Sequence, residues 1–196
     1  MSSTPRIPPA EITGPFGYLV KRLSRKMLGE VPEGVAVMWQ NRPVLMSLMA
    51  LGRKVERWDR LDANLRSFAH MAVAARVGCS ACLDYGYFQA HNAGLDEGKA
   101  SEVPRWREST AFTALEREVM EYAEAMTETP PRVTDEQSAR LLGQLGAPAL
   151  VELTAVVGFA NLTARGNTAM GITSQGFSKV CRLPLAQPAA EGATTA

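Results

Sequence analysis

Apolar residues recur at intervals of three and four along nearly the whole chain, while alternating runs of β-branched and aromatic residues are missing. That periodicity gives helices a face to bury and gives strands none. No Asn-Gly or Asp-Gly pair joins two apolar segments as a hairpin would require. The expected fold class is therefore all-α, with about seven or eight helices in one domain, a size that 196 residues can support.

Local signals divide the chain. Residues 1–13 are expected to be a flexible arm, since three of the first ten are proline. Residues 14–181 are expected to be the helical domain, and residues 182–196, "RLPLAQPAAEGATTA", a disordered tail. A basic amphipathic helix is predicted from Pro15, stopping at Gly29, with Phe16, Leu19, Leu23 and Met27 along one face. Such a face suits packing across its own domain or another subunit better than a membrane surface. "RPVLMSLMALGRKVERW" starts a further helix at Pro43, and "DRLDANLRSFAHMAVAARVG" another that ends on Gly78 as a C-terminal cap. Thr113 and Glu116 have the spacing of a capping box, and Thr134 or Asp135 caps the short helix that follows Pro130 and Pro131. "APALVELTAVVGFANLTARGNTAMG" is the most apolar segment and belongs at the centre of the fold or of an oligomer interface.

Lys plus Arg number 21 against 20 for Asp plus Glu. Net charge therefore gives no attraction to nucleic acid or to an anionic membrane. The N-terminus lacks the pattern of a secretory signal peptide, and no apolar stretch is taken to reach the roughly 20 residues of a membrane span. The expected location is cytoplasmic. No Gly-rich phosphate loop follows a strand, so no dinucleotide is expected.

The chemistry lies in "RVGCSACLDYG", where two of the three cysteines, Cys79 and Cys82, stand three apart directly after Gly78. Residues with this spacing share a helix face, with Cβ atoms roughly 5 to 6 Å apart, and the loose first turn of a helix lets them close to a disulfide. A helix N-terminus also favours a thiolate. In a reducing compartment, a close Cys pair is more often catalytic or metal-binding than a staple. A zinc site would recruit His70 and His91, nine residues to either side of the pair. Each would sit about 13 Å along its helix from the nearer cysteine, so a helix would have to break; no metal is therefore assigned. Two small residues in a packed helix remain the alternative to redox chemistry. Cys181 has the character of an ordinary buried or half-exposed thiol.

"LRSFAHMAVAARVGCSACLDYG" resembles the core motif of the carboxymuconolactone decarboxylase and alkylhydroperoxidase D-like family, in which a Leu-Arg-Glu segment leads through a helix to Cys-x-x-C-x-x-x-His. "GPFGYLVKRLSRKMLGEVPEGV" and "LVELTAVVGFANLTARGNTAMGI" are similar to its N-terminal extension and last long helix, extending the likeness to about residues 14–178. The resemblance implies an alkylhydroperoxidase D-like helical domain that assembles as a homo-oligomer, whether trimer, hexamer or dimer. It implies a thiol-disulfide oxidoreductase with alkylhydroperoxidase, peroxiredoxin-like activity, acting on a hydroperoxide or disulfide. Reducing equivalents would come from a protein or low-molecular-weight thiol, with no cofactor.

Cys79 and Cys82 carry over as the catalytic pair, with Cys82 attacking and Cys79 resolving, although position at the helix end alone would assign the roles oppositely. The proton relay of the peroxidase pattern does not carry over. Its Glu and two His positions are Ser67, Ala81 and Gly86 here. His70 and Tyr85 are the candidate replacements, and the small residues Ser67 and Gly86 are candidates for opening a pocket above the thiols. Arg165 and Asn167 interrupt the apolar last helix as candidate contacts to a facing helix. The alternative function is a non-catalytic redox sensor or small-molecule-binding protein that kept the fold and lost the relay.

Overall fold

The computed structural model describes residues 4–187, and no strand occurs among them. The chain runs through α1 (Gly14–Leu28), α2 (Glu33–Met38), α3 (Arg42–Val55), α4 (Ala63–Val77), α5 (Ser80–Asn92), α6 (Glu97–Glu102), α7 (Ala114–Thr127) and α8 (Asp135–Met170). The all-α expectation is met. The short helices α2 and α6 have no counterpart in the sequence pattern, because six residues are too few to display a helical period.

Local chemistry sets the helix ends. Asp62 accepts from the Asn64 and Leu65 amides to start α4. Thr113 and Glu116 form the expected capping box of α7, and Thr134 caps α8 through the Gln137 amide at 3.2 Å. Within α8 the helical path breaks at Gly146 (φ 75°), two residues before Pro148. The two predicted helices thus meet end to end, with Pro148 in the first turn of the second, where its missing N–H costs nothing.

α4 is the hub. It packs against α5, α7 and α8, and Phe68, Ala69, Met71, Ala72, Val73 and Ala74 are all buried. Burying each large apolar side chain there contributes roughly 1.5–3 kcal/mol. Leu153, Val156, Val157, Ala160 and Ala164 of α8 supply the opposing apolar surface. Arg66 of α4 fixes the register, lying 3.7 Å from the buried Glu152 carboxylate of α8 and donating to the Trp58 carbonyl. α8 is long and apolar enough to cross a bilayer by length and composition, a correction to the expectation that no stretch approaches a span. Here its buried face belongs to the core.

A smaller cluster of Ile12, Val20, Trp39 and Leu45 holds α1 and α3 together. The apolar face of α1 points outward instead, with Phe16, Leu19, Leu23 and Met27 exposed by 42, 57, 51 and 62%.

The described parts of both terminal segments make contacts with the helical domain. The arm is docked from residue 5 to residue 13: the Arg6 amide donates to the Met170 carbonyl at 2.8 Å, its guanidinium caps the Thr168 and Ala169 carbonyls, and Ile12 is buried. Of the expected disordered tail, residues 182–187 lie along α5 and α6, with the Ala186 amide donating to the Ser101 carbonyl at 2.9 Å. Residues 1–3 and 188–196 lie outside the described residues.

The α4–α5 junction positions the site. Gly78 adopts the left-handed conformation (φ 76°), the Cys79 amide donates to the Ala74 carbonyl at 2.9 Å, and the Gly78 amide donates to the Ala75 carbonyl at 3.1 Å. This paired bonding is a Schellman cap. Nothing lies within 4 Å of a Cβ added at Gly78, so replacing it meets only the backbone penalty. Gly78→Ala is expected to lose about 1–2 kcal/mol of stability in urea unfolding, and Gly78→Asn, which tolerates this conformation better, to lose less.

Candidate active site

The cap hands the chain directly to α5, whose N-cap is Cys79. Cys79 Sγ accepts from the Cys82 amide at 3.2 Å, the bond that a capping side chain makes. Cys79 and Cys82 are joined as a disulfide, with Cα atoms 5.3 Å apart. Both sulfurs sit near the positive end of α5. Cys79 is 1% exposed and Cys82 6%, so Cys82 is the more accessible of two buried residues.

Asn167, in the last turns of α8, reaches across to Cys82, its Nδ2 lying 3.4 Å from Sγ. This amide is the polar group that the structure brings to the pair. Arg165, the other polar residue interrupting that helix, instead donates to the Thr127 carbonyl of α7 and to Asn161.

Asp84, one helical turn beyond Ser80, is the strongest anchor nearby. Its carboxylate is 3% exposed and accepts from the Gly176, Phe177 and Ser178 amides and from the Ser174 and Ser178 hydroxyls, at 2.6 to 3.0 Å. The Ser174 amide adds a bond to Ser80 Oγ at 3.2 Å. The chain after α8 is thereby strapped across the start of α5, where Phe177 meets Tyr85 and Phe88. Between the strap and α5 runs a groove of about 660 Å³, lined by Gly78, Ser80, Leu83 and Asp84 on one side and by Ser174, Lys179 and Cys181 on the other. Burial pushes the Asp84 carboxyl up, but the hydrogen bonds from Ser178, Ser174 and Phe177 outweigh it and hold its pKa below the ordinary value.

The remaining predicted residues are more dispersed. His70 is half-buried in α4, and desolvation lowers its pKa. Tyr85 is half-buried, its pKa raised by burial and by the Glu56 charge. Among the described residues, neither hydrogen-bonds a cysteine sulfur. Ser67 is half-buried in α4 and does not line the groove. Gly86 is buried, and a Cβ there would lie 3.2 Å from Met71 Cγ. The space expected at Gly86 is therefore taken by a neighbouring side chain, and the glycine serves the close approach of α5 to α4. His91 faces Glu97 rather than the pair, with Nδ1 to Oε2 at 3.1 Å.

Comparison with known proteins agrees with this architecture. The Carboxymuconolactone decarboxylase family profile matches residues 43–125. The uncharacterized protein YnjA of Escherichia coli is 35% identical over 164 residues, covering 83% of this chain and 88% of its own. The chain belongs to the carboxymuconolactone decarboxylase family. Among solved structures, an alkylhydroperoxidase AhpD core protein from Ralstonia eutropha, described as an uncharacterized peroxidase-related protein, superposes with a TM-score of 0.78 at 15% identity, covering 94% of this chain and all of that one. The debrominase Bmp8 in complex with 2,3,4-tribromopyrrole gives a TM-score of 0.77 at 18% identity, over 91% and 96% of the two chains. At these identities the superpositions establish the shared fold.

The Asp84 latch makes a prediction. Asp84→Asn keeps the shape but turns a donor toward amides and hydroxyls that need acceptors. It is expected to lose about 3 kcal/mol in urea unfolding, the scale of a hydrogen bond to a charged group, and to lose amide-exchange protection at Gly176–Ser178. Because the folded pKa of Asp84 lies below its unfolded value near 3.8, its contribution is present above that pH and disappears as pH falls through the folded value.

Proposed function

We propose that the chain is a thiol–disulfide oxidoreductase with alkylhydroperoxidase activity, cycling Cys79 and Cys82 between dithiol and disulfide. The observation that carries this reading is the closed pair at the N-terminus of α5 with Asn167 donating to Cys82 Sγ. The Cys82 thiolate attacks a hydroperoxide oxygen; the O–O bond breaks, Cys82 becomes a sulfenic acid, and the departing alkoxide takes a proton from water. The Cys79 thiolate then attacks the sulfenic sulfur, and hydroxide leaves with a proton as water, closing the disulfide. A protein or low-molecular-weight dithiol restores the pair through a mixed disulfide. A disulfide substrate would enter by the same exchange.

Asn167 stabilises the thiolate by donating N–H to sulfur but has no proton to transfer. A positioned acid or base typically contributes about 10² to 10⁴ in rate, so turnover without the Glu and His relay is slow unless His70 or Tyr85 takes its place in the reduced form. The burial of both sulfurs favours a second reading, a redox sensor that closes without turning over. The debrominase ligand adds halogenated pyrroles to the substrates worth testing.

The test follows hydroperoxide consumption by pre-reduced protein with excess dithiol. Repeated turnover is expected in the parent and absent in Cys82→Ser, while pre-reduced Cys79→Ser freed of dithiol consumes about one equivalent and leaves Cys82 as a sulfenic acid. Asn167→Ala is expected to slow the attack step at least tenfold, the equivalent of a lost hydrogen bond to a charged group. Equal activity in both Cys→Ser variants overturns the proposal, and disulfide closure without turnover selects the sensor.

The outward apolar face of α1 supports a homo-oligomer in which that face meets another subunit. Light scattering is expected to show an oligomer that Leu19→Glu with Leu23→Glu dissociates; a monomeric parent would contradict this.

A further inference from the structure

We propose that His91, Glu97 and Cys181 form a divalent metal site suited to zinc, tying the strap after α8 to the corner between α5 and α6. A ring nitrogen of His91, a carboxylate oxygen of Glu97 and Cys181 Sγ lie within 4.8 Å of one another. They come from three separate places: the last turn of α5, the first turn of α6 and the residue after the short helix Phe177–Val180. Donors around a tetrahedral zinc stand about 3.3–3.6 Å apart, as bond lengths of roughly 2.0–2.3 Å require. His91 and Glu97 already stand at 3.1 Å, so the thiol closes the remaining gap of about 1 Å.

Glu97 is set for this task. Its Oε1 accepts from the Arg182 and Leu183 amides at 2.5 and 3.3 Å and lies 3.4 Å from the Tyr87 hydroxyl. Those bonds fix the carboxylate and leave Oε2 turned toward His91, the kind of outer support that orients metal ligands. Glu97 and Asp84 also place negative charge around Cys181, which a dication would offset. Imidazole, carboxylate and thiolate together suit zinc, whereas calcium and magnesium take oxygen donors. All three residues are partly exposed, which admits the ion and leaves a coordination position for water. Binding replaces the His91–Glu97 hydrogen bond with two coordinate bonds and releases the Cys181 proton. The bound ion would clamp residues 181–187, the outer wall of the groove beside Ser80 and Asp84.

The test uses the full chain oxidised, so that Cys79 and Cys82 are closed and Cys181 is the only thiol, titrated with cobalt(II) as a spectroscopic stand-in for zinc. One equivalent is expected to produce a thiolate-to-cobalt charge-transfer band that one equivalent of zinc removes. Cys181→Ser is expected to abolish the band and His91→Ala to weaken binding at least tenfold, both checked for native helicity by circular dichroism. The double variant Cys79→Ser with Cys82→Ser should retain it. A parent without the band, or a band that survives Cys181→Ser, overturns the proposal.

Discussion

The left-handed turn at Gly78 is the constraint on which the site depends. It ends α4 with two backbone hydrogen bonds and in the same step makes Cys79 the first capping residue of α5. Because α4 is buried against α5, α7 and α8, the turn has little freedom to move. The thiol pair is therefore held at a helix N-terminus by the most tightly packed element of the molecule. A sulfur at that position receives an amide hydrogen bond and the favourable end of the helix dipole, both of which stabilise negative charge.

The second constraint comes from Asp84. Five donors converge on one buried carboxylate, and all of them belong to Ser174–Ser178, beyond the end of α8. The chain that leaves α8 is thus bound to the helix that carries the cysteines, through Ser80 and Asp84. The same α8 supplies Asn167 to Cys82 just before it ends. Chemistry at the pair and the position of the strap are connected through a few residues at the end of one helix.

What the sequence makes legible follows from the range of the interactions involved. Helix ends set by neighbours within a few residues, such as Thr113 with Glu116, Thr134 and Gly78, can be placed from the sequence alone. So can the break between the two parts of α8, where Gly146 and Pro148 act locally. Asp84 does not stand out in the sequence, because its donors come some ninety residues later and nothing in "CLDYG" announces them. The docked arm is hidden for the same reason: Arg6 is held by carbonyls at the far end of α8. Asn167 stands out as a polar residue in an apolar helix, yet its partner Cys82 emerges only when α5 and α8 are brought together. Gly86 shows the opposite limit: a missing side chain in the sequence suggests space, and packing against Met71 fills it.

If the pair works as a thiol–disulfide couple, its surroundings must turn Cys82 into a thiolate at ordinary pH. The direct measurement is the titration of Cys82 by thiolate absorbance in a Cys79→Ser, Cys181→Ser background, where it is the only thiol. The predicted result is a pKa below the free value of about 8.5, rising when Asn167→Ala is added. A pKa at or above that value, unmoved by Asn167→Ala, would contradict it.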